Sequence, residues 1–218
     1  AASVPVFAQA EGEKTPPPQL RSLQNVEGEG GLADENRKPE APNIRKEALK
    51  EAALSYGARG GLARRTWEIN QELDRKSHYL DRTYNFTRLL IPGPSNTLIE
   101  PPIVSEAQDA FLVESNGQTA AVAEVMFNIN KEARIVSTAR NWRDYLYRSW
   151  GEVESPPDLL LPKNAEEREL WRKWVAEGWE QGYEQANEIF QADLNRLMAH
   201  FEGMVRYRLL IKQNMISA

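Results

Sequence analysis

The longest regular hydrophobic pattern of the chain lies near its C-terminal end, from about Ala165 to Leu210. Apolar and small residues recur there every three or four positions, which predicts one long amphipathic helix. Asn164 is placed to cap the first turn, and Glu167 three residues later is a capping-box partner. The stripe consists of Leu170, Trp174, Gly178, Trp179, Gly182, Ala186, Ile189, Phe190, Leu194, Leu197, Phe201 and Val205.

A second helical pattern follows Asn43, a good N-cap residue, and predicts one or two helices over residues 44–88. Gly57, Gly60 and Gly61 interrupt this pattern. Each glycine costs up to about 1 kcal/mol relative to alanine inside a helix. The three glycines therefore mark either a break in the helix or a close contact with another backbone.

The middle of the chain has the pattern of a small antiparallel sheet. Two apolar runs flank Asn116-Gly117, a dipeptide typical of hairpin turns, which predicts a β-hairpin or small sheet within about residues 103–136. Arg140–Trp150 has the spacing of a short amphipathic helix. These patterns together predict an α+β fold that is mainly α-helical. Its long N- and C-terminal helices are expected to pack together beside the small sheet.

The first 42 residues differ from the rest. Residues 11–42 are rich in Pro and Gly and contain few large apolar residues, so they are predicted to be a linker that could become ordered on a partner. Ala8-Gln9-Ala10 matches the small-x-small pattern of a signal-peptide cleavage region; the alternative is an Ala-rich flexible end. The expected organisation is a flexible tail or linker over 1–42 and a single domain over 43–218.

Composition narrows the function classes. The formal net charge is −5, and a nucleic-acid groove needs clustered Lys and Arg, so the acidic balance argues against one. The absence of cysteine excludes a disulfide scaffold, a thiolate metal site and a cysteine nucleophile. No apolar run approaches the roughly eighteen residues that indicate a membrane-spanning helix.

The sequence gives little support for catalysis. His78 and His200 are the only histidines, and neither has a carboxylate at a recognised metal-ligand spacing. No Gly-x-Ser-x-Gly occurs, and the glycine-rich stretches 28–31 and 57–61 match no phosphate-binding fingerprint. Most carboxylates fall on polar helix faces. We therefore expect a non-enzymatic protein without a metal or cofactor.

Two clusters are candidates for packing or for an interface. Trp171–Tyr183 (WRKWVAEGWEQGY) combines small residues, which admit another backbone, with rings that bury large areas. Its expected neighbour is the Gly57–Gly61 segment; the alternative is an intermolecular surface. Residues 140–148 interleave Arg with aromatic residues, which favours a protein interface over nucleic-acid stacking. The candidate residues are Gly57, Gly61, Trp142, Arg143, Tyr145, Trp174, Gly178, Trp179, Gly182 and Tyr183.

A set of short stretches is distributed over about residues 44–217. It comprises Ile44-Arg45, Ala48-Leu49-Lys50-Glu51, Ala53-Leu54-Ser55, Gly57-Ala58, Gly61-Leu62-Ala63, Leu80-Asp81, Tyr84, Phe86, Pro101-Pro102-Ile103, Trp142-Arg143, Tyr145-Leu146, Leu160-Leu161-Pro162-Lys163, Gly178-Trp179, Gly182, Gln185-Ala186-Asn187, Phe201, Gly203-Met204 and Tyr207-Arg208. In this order and with this spacing, the set resembles the DotC/TraI family of type IVB secretion and conjugation systems.

The resemblance implies a structural role without catalysis. Family members are exported, typically as lipoproteins, and lie in the periplasm at the inner face of the outer membrane. They assemble with a DotD/TraH-like lipoprotein, a DotH/TraN-like core protein and further copies of themselves. The resulting ring is the outer-membrane core complex, through which protein or DNA substrates pass. No direct nucleic-acid binding is expected.

The sequence departs from the family in two respects. It has no cysteine that could carry the lipid, which leaves direct membrane anchoring open. Family members also continue beyond the equivalent of Met215.

Two other functions stay open beside the scaffold role. A periplasmic cell-wall-acting hydrolase would need two converging carboxylates roughly 5–9 Å apart. A peptide-binding module would accept a partner helix on its Trp/Gly face.

Overall fold

The computed structural model describes residues 16–28, 42–115 and 118–216. The helices are α1 (Leu20–Gln24), α2 (Pro42–Arg75), α3 (Ser77–Thr83), α4 (Arg143–Leu146) and α5 (Ala165–Lys212), with short 3-10 helices at Phe86–Leu89, Pro94–Asn96 and Asp158–Leu160. The strands are β1 (Ile91–Pro92), β2 (Leu98–Glu100), β3 (Ile103–Ser115), β4 (Gln118–Lys131) and β5 (Arg134–Val136). Long helices and small antiparallel sheets confirm the predicted α+β class.

The chain divides into two compact units. The first comprises residues 1–75 and 147–191, and the second comprises residues 76–146 and 192–218. Helix α5 therefore contributes its first part to the first unit and its last part to the second. The single domain expected over residues 43–218 stays a prediction.

In the first unit, α2 and the first part of α5 pack side by side, as predicted. They run in the same direction, because Leu54 lies against Gly178 and Ala58 lies against Gly182. Parallel neighbouring helices cannot be joined by a short turn, so a long connection must separate them in the chain. The core between them contains the buried residues Leu49, Ala53, Tyr56, Trp171, Trp174, Val175 and Trp179.

The start of α5 follows from its sequence. The side-chain oxygen of Asn164 accepts a hydrogen bond from the Glu167 amide at 2.8 Å, which confirms the predicted cap. The Glu167 carboxylate accepts in return from the Lys163 amide at 2.8 Å, one residue before the position expected for a capping box. The cap therefore satisfies the Glu167 amide, one of the four amides at the start of a helix that have no partner within it.

Part of the predicted linker is folded. Residues 16–28 contain α1, and Leu23, next to the last residue of this helix, is completely buried in the core of the first unit. This differs from the expectation that residues 11–42 have little to bury, because one well-placed leucine is enough to anchor a short segment. Ala8–Ala10, the predicted cleavage region, lies outside the described residues.

In the second unit, β1, β2 and β5 form a three-stranded antiparallel sheet in the order β1-β2-β5. Strands β3 and β4 form the predicted hairpin, in register from Ser115↔Gln118 to Val104↔Ile129, with a shift between Val104 and Ile103. The Asn116-Gly117 turn itself lies outside the described residues.

Helix α4 is shorter than the predicted Arg140–Trp150. Its N-terminal boundary is set by a local capping arrangement at Asn141. The Asn141 side-chain oxygen accepts from the Arg143 amide at 3.0 Å, and Asp144 accepts from the Asn141 amide at 2.8 Å. Arg140 therefore precedes the helix.

Candidate functional site

Four of the predicted residues form the contact between α2 and α5. Gly57 and Gly61 on α2, and Gly178 and Gly182 on α5, are each four residues apart and so share a helix face. A Cβ atom added at any of them would lie less than 3.0 Å from a main-chain carbonyl oxygen of the other helix. The opposed carbonyls belong to Val175, Trp179, Leu54 and Ala58, respectively. The glycines therefore mark close backbone contact within a continuous helix.

Aromatic side chains surround this contact. Trp174 and Trp179 are 7% and 9% exposed, and both belong to the core of the first unit. Tyr183 is half-buried, and its hydroxyl donates to Glu68 at 2.8 Å. Burial and this hydrogen bond raise the pKa of Tyr183 above its ordinary value. The Trp/Gly face is thus the intramolecular core that the sequence favoured over an intermolecular surface.

An ion pair ties the beginnings of the two helices together. Arg45 on α2 binds Glu167 on α5 through two hydrogen bonds, of 2.8 Å and 3.0 Å. Burial alone would raise the pKa of Glu167, but hydrogen bonds from Arg45 and from the Lys163 amide bring that pKa below its ordinary value. A bidentate guanidinium–carboxylate pair fixes both distance and orientation, so it sets the register of the helix pair.

The other three predicted residues lie in the second unit. Trp142 is 1% exposed and Tyr145 is 6% exposed, so both are packing residues. The interface expected from residues 140–148 is therefore wrong for these two rings, because partners distant in sequence bury them. Trp142 donates from Nε1 to Asp81 at 2.7 Å. Arg143 is half-buried; it lies over the Trp142 ring at 4.2 Å and pairs with Asp81 at 2.6 Å.

A polar cluster extends from Tyr145 in two directions. Its hydroxyl lies 2.9 Å from Nδ1 of His200 and accepts from Arg140 at 3.2 Å. Arg140 in turn pairs with Glu100, a buried carboxylate that also accepts from Arg134 at 2.6 Å. A buried carboxylate held by two guanidinium groups keeps its charge compensated, so the cluster stabilises the fold around it.

His200 also faces a cavity in the second unit. The cavity has a volume of about 380 Å³ and lies between the base of the β3–β4 hairpin and the last part of α5. Its charged lining is mixed, with the cations of Lys131, Arg196 and Arg206 beside Glu106 and Glu202. Burial and the neighbouring cations lower the pKa of His200 to about 4, so the imidazole is neutral at pH 7.

No group of three or more His, Cys, Asp or Glu side chains that could hold a metal ion occurs within residues 16–28, 42–115 and 118–216. Among the helices of those same ranges, none combines the length and the apolar character that crossing a bilayer requires.

Sequence reasoning did not find the Glu100 cluster, the Leu23 anchor or the cavity. Glu100 stands in a turn-rich stretch that gives no hint of burial, and Arg134 and Arg140 follow it by more than thirty residues. For Leu23 a weak signal exists, since Leu20, Leu23 and Val26 recur at helical spacing within the Pro/Gly-rich segment.

A family model described as type IV secretory system, conjugal DNA-protein transfer matches residues 43–218. That range covers most of the chain. The chain belongs to this TraI family. Every feature described above, from the glycine contact to the cavity, lies inside the TraI-family region except α1, which precedes it. A search of curated proteins finds no match.

Proposed function

We propose that this TraI-family chain is a structural subunit of the outer-membrane core complex of a type IVB secretion or conjugation machine, as DotC-like proteins are. The family match over residues 43–218 carries the proposal. In this role the chain lies in the periplasm at the inner face of the outer membrane. It has no catalytic activity and helps to form the ring through which protein or DNA substrates pass.

The proposed partners are other proteins of the same complex. They are a DotD/TraH-like lipoprotein, a DotH/TraN-like core protein and further copies of this chain. The backbone contact between α2 and α5 supports this role, because a helix pair without flexible side chains at its crossing is a rigid support for neighbouring subunits. The formal charge of −5 supports indirect rather than direct contact with transferred DNA.

A second candidate function, a cell-wall-acting hydrolase, is favoured by one observation. The cavity of the second unit brings two carboxylates, Glu106 and Glu202, to one lining. Glycoside hydrolysis uses such a pair as acid and base or as acid and nucleophile. The Glu106 carboxylate also lies 3.5 Å from the Arg206 guanidinium. This ion pair is a structural reason for Glu106 to lie in the cavity lining, so its presence there does not require a catalytic role.

One transfer assay separates the two functions. Deleting the gene from a donor strain should abolish transfer of plasmid DNA or protein substrate, and the intact gene should restore it. The double variant Glu106→Gln and Glu202→Gln keeps the size of both side chains but removes their acid–base chemistry. We expect this variant to restore transfer to within about twofold of the intact gene. Loss of transfer with normal protein levels would favour the hydrolase, and undiminished transfer after deletion would contradict the scaffold role.

A further inference from the structure

The cavity of the second unit is large enough for a small molecule. Its volume of about 380 Å³ falls within the range of roughly 300–1,000 Å³ that ligand pockets occupy. Its walls are the base of the β3–β4 hairpin and the last part of α5, where His200 belongs to the lining. A few polar groups fix which ligand such a cavity accepts, so the hydrogen-bonding character of its lining is decisive.

The tautomer of His200 follows from its neighbours. The Tyr145 hydroxyl accepts a hydrogen bond from Arg140 at 3.2 Å, and a guanidinium group cannot accept one in return. The single hydroxyl hydrogen is therefore donated to Nδ1 of His200, which lies 2.9 Å away. The neutral imidazole then carries its own hydrogen on Nε2, so Nε2 is a donor.

Nε2 of His200 is open to the cavity. Tyr145, which binds the Nδ1 edge of the ring, does not belong to the described residues that line the cavity, so the opposite edge of the ring faces it. Nε2 is not enclosed by protein, because Asn70 Oδ1 is the one enclosed side-chain polar atom without a partner in the part of the chain that the structure describes. The cavity therefore contains an unused N–H donor.

Three further side chains supply donors to the same lining. The Lys131 ammonium forms no ion pair within the described stretches of the chain. Arg196 donates one hydrogen bond to Asp193 at 2.9 Å, which leaves other N–H groups of its guanidinium available. The side-chain oxygen of Asn130 accepts from Ser105 at 3.1 Å, so the NH2 group of Asn130 is the end left for a ligand.

The neighbouring carboxylates leave these donors available. Glu106 lies 3.5 Å from Arg206, so these two charges of the lining compensate each other. Asp193, which compensates Arg196, is 4% exposed and lies behind the lining, so it presents no acceptor to a ligand. Glu202 is the remaining acid of the lining, and it stands against both Lys131 and Arg196. Donors therefore outnumber free acceptors in the cavity.

The electrostatic potential at His200 is positive as well. Burial and the cations of Lys131, Arg140 and Arg196 lower the pKa of His200, and Glu100 is the anion that opposes them most strongly. A negative charge placed beside Nε2 would be attracted by these cations, whereas a cation would be repelled.

We propose that the His200 end of this cavity binds an oxyanion, namely the carboxylate or phosphate group of a small ligand. The oxygens of this group accept hydrogen bonds from His200 Nε2, Lys131 and Arg196, and the rest of the cavity holds the remainder of the ligand. Carboxylate and phosphate oxygens match the fixed geometry of guanidinium donors. This site goes beyond the scaffold role and does not depend on it.

The test is an NMR titration of the purified full chain with sodium phosphate and, separately, with sodium acetate. The pH is 7, and sodium chloride keeps the ionic strength constant. The chain has two histidines, His78 and His200, and the His200→Gln variant assigns their ring signals. His78 is exposed on α3 and serves as an internal control. We expect at least one anion to move the His200 signals in a saturable way while those of His78 stay in place, and the anion that does so identifies the bound group.

Lys131→Met removes a donor and a positive charge from the site and should weaken binding of that anion at least about fivefold. Lys173→Met is the matched control, because it removes the same charge from an exposed position of α5 in the first unit and should leave binding unchanged. Circular dichroism checks that both variants fold. The proposal would be overturned if neither anion moved the His200 signals or if both histidines moved together. Equal binding by Lys131→Met and Lys173→Met would also overturn it.

Discussion

His200 is held in its neutral form by its surroundings. Its Nδ1 lies 2.9 Å from the Tyr145 hydroxyl, and burial together with Lys131, Arg140 and Arg196 lowers its pKa to about 4. An unfolded chain has a histidine pKa of about 6.5. Between these values the unfolded chain binds a proton that the folded chain does not, so stability is full above about pH 6.5 and falls as the pH falls.

This sign gives a pH prediction. The free energy of unfolding should fall by about 1 kcal/mol between pH 7 and pH 5, a figure reduced for the partial exposure of the ring. His200→Gln keeps a hydrogen-bonding side chain and removes the titrating group. Urea unfolding at both pH values should therefore show a smaller fall for the variant. The carboxylates with lowered pKa, Glu68, Asp81 and Glu167, lose their contribution only at lower pH. Equal falls for both proteins would contradict the account.

Single residues were the hardest to predict from sequence. Trp142 and Tyr145 have the composition of an interface, but whether a ring is buried depends on partners far away in the chain. Asp81 receives the Trp142 indole, and Phe86 stacks on Tyr145 with ring centroids 6.0 Å apart. Neither partner can be inferred from local spacing, so composition alone led to the wrong location for these two side chains.

At the scale of elements, the contact between α2 and α5 explains the glycines in both helices. Glycine costs up to about 1 kcal/mol relative to alanine inside a helix, so four glycines at one crossing need a compensating contact. At each glycine, the backbone of one helix lies directly against a main-chain carbonyl of the other helix. Because the helices are this close, the surrounding tryptophans can pack against both of them.

Gly182→Ala tests this explanation. The added methyl would meet the Ala58 main chain, which cannot rotate away as a side chain could. We expect a net loss of about 1–3 kcal/mol in the free energy of unfolding, despite the better helix propensity of alanine. Chemical denaturation measures it. Glu180→Ala, at an exposed position of the same helix, is the control and should change stability by less than about 0.5 kcal/mol. A stabilised Gly182→Ala variant would show that the helices are not in backbone contact.

Elements with a long periodic pattern were predictable, and short ones were not. The stripe and the Asn164 cap located α5, and the apolar runs around Asn116-Gly117 located the hairpin. Helix α1 has only five residues, and it is ordered by burial of Leu23 and by a hydrogen bond from Trp171 Nε1 to the Leu23 carbonyl at 3.1 Å. Such tertiary anchoring outweighs a Pro/Gly-rich composition but leaves almost no periodic signal.

At the scale of the whole molecule, the order of the elements explains why the two long helices lie so far apart in the chain. Parallel packing of α2 and α5 requires a long connection, and residues 76–164 provide it with a sheet, a hairpin and the two short helices α3 and α4. The sequence predicted these parts but not that the helices run parallel, because periodicity carries no information on relative direction. The TraI-family match over residues 43–218 then gives the secretion and conjugation context in which the scaffold role is proposed.

Purification of the tagged chain from the cell envelope by gentle detergent extraction, followed by mass analysis of what accompanies it, tests the scaffold role most directly. The account predicts a particle of roughly megadalton size that contains a DotD/TraH-like lipoprotein, a DotH/TraN-like protein and several copies of this chain. An extract from cells with the untagged chain controls for adventitious proteins. Recovery of the tagged chain as a lone monomer, with neither partner type enriched above that control, would contradict it.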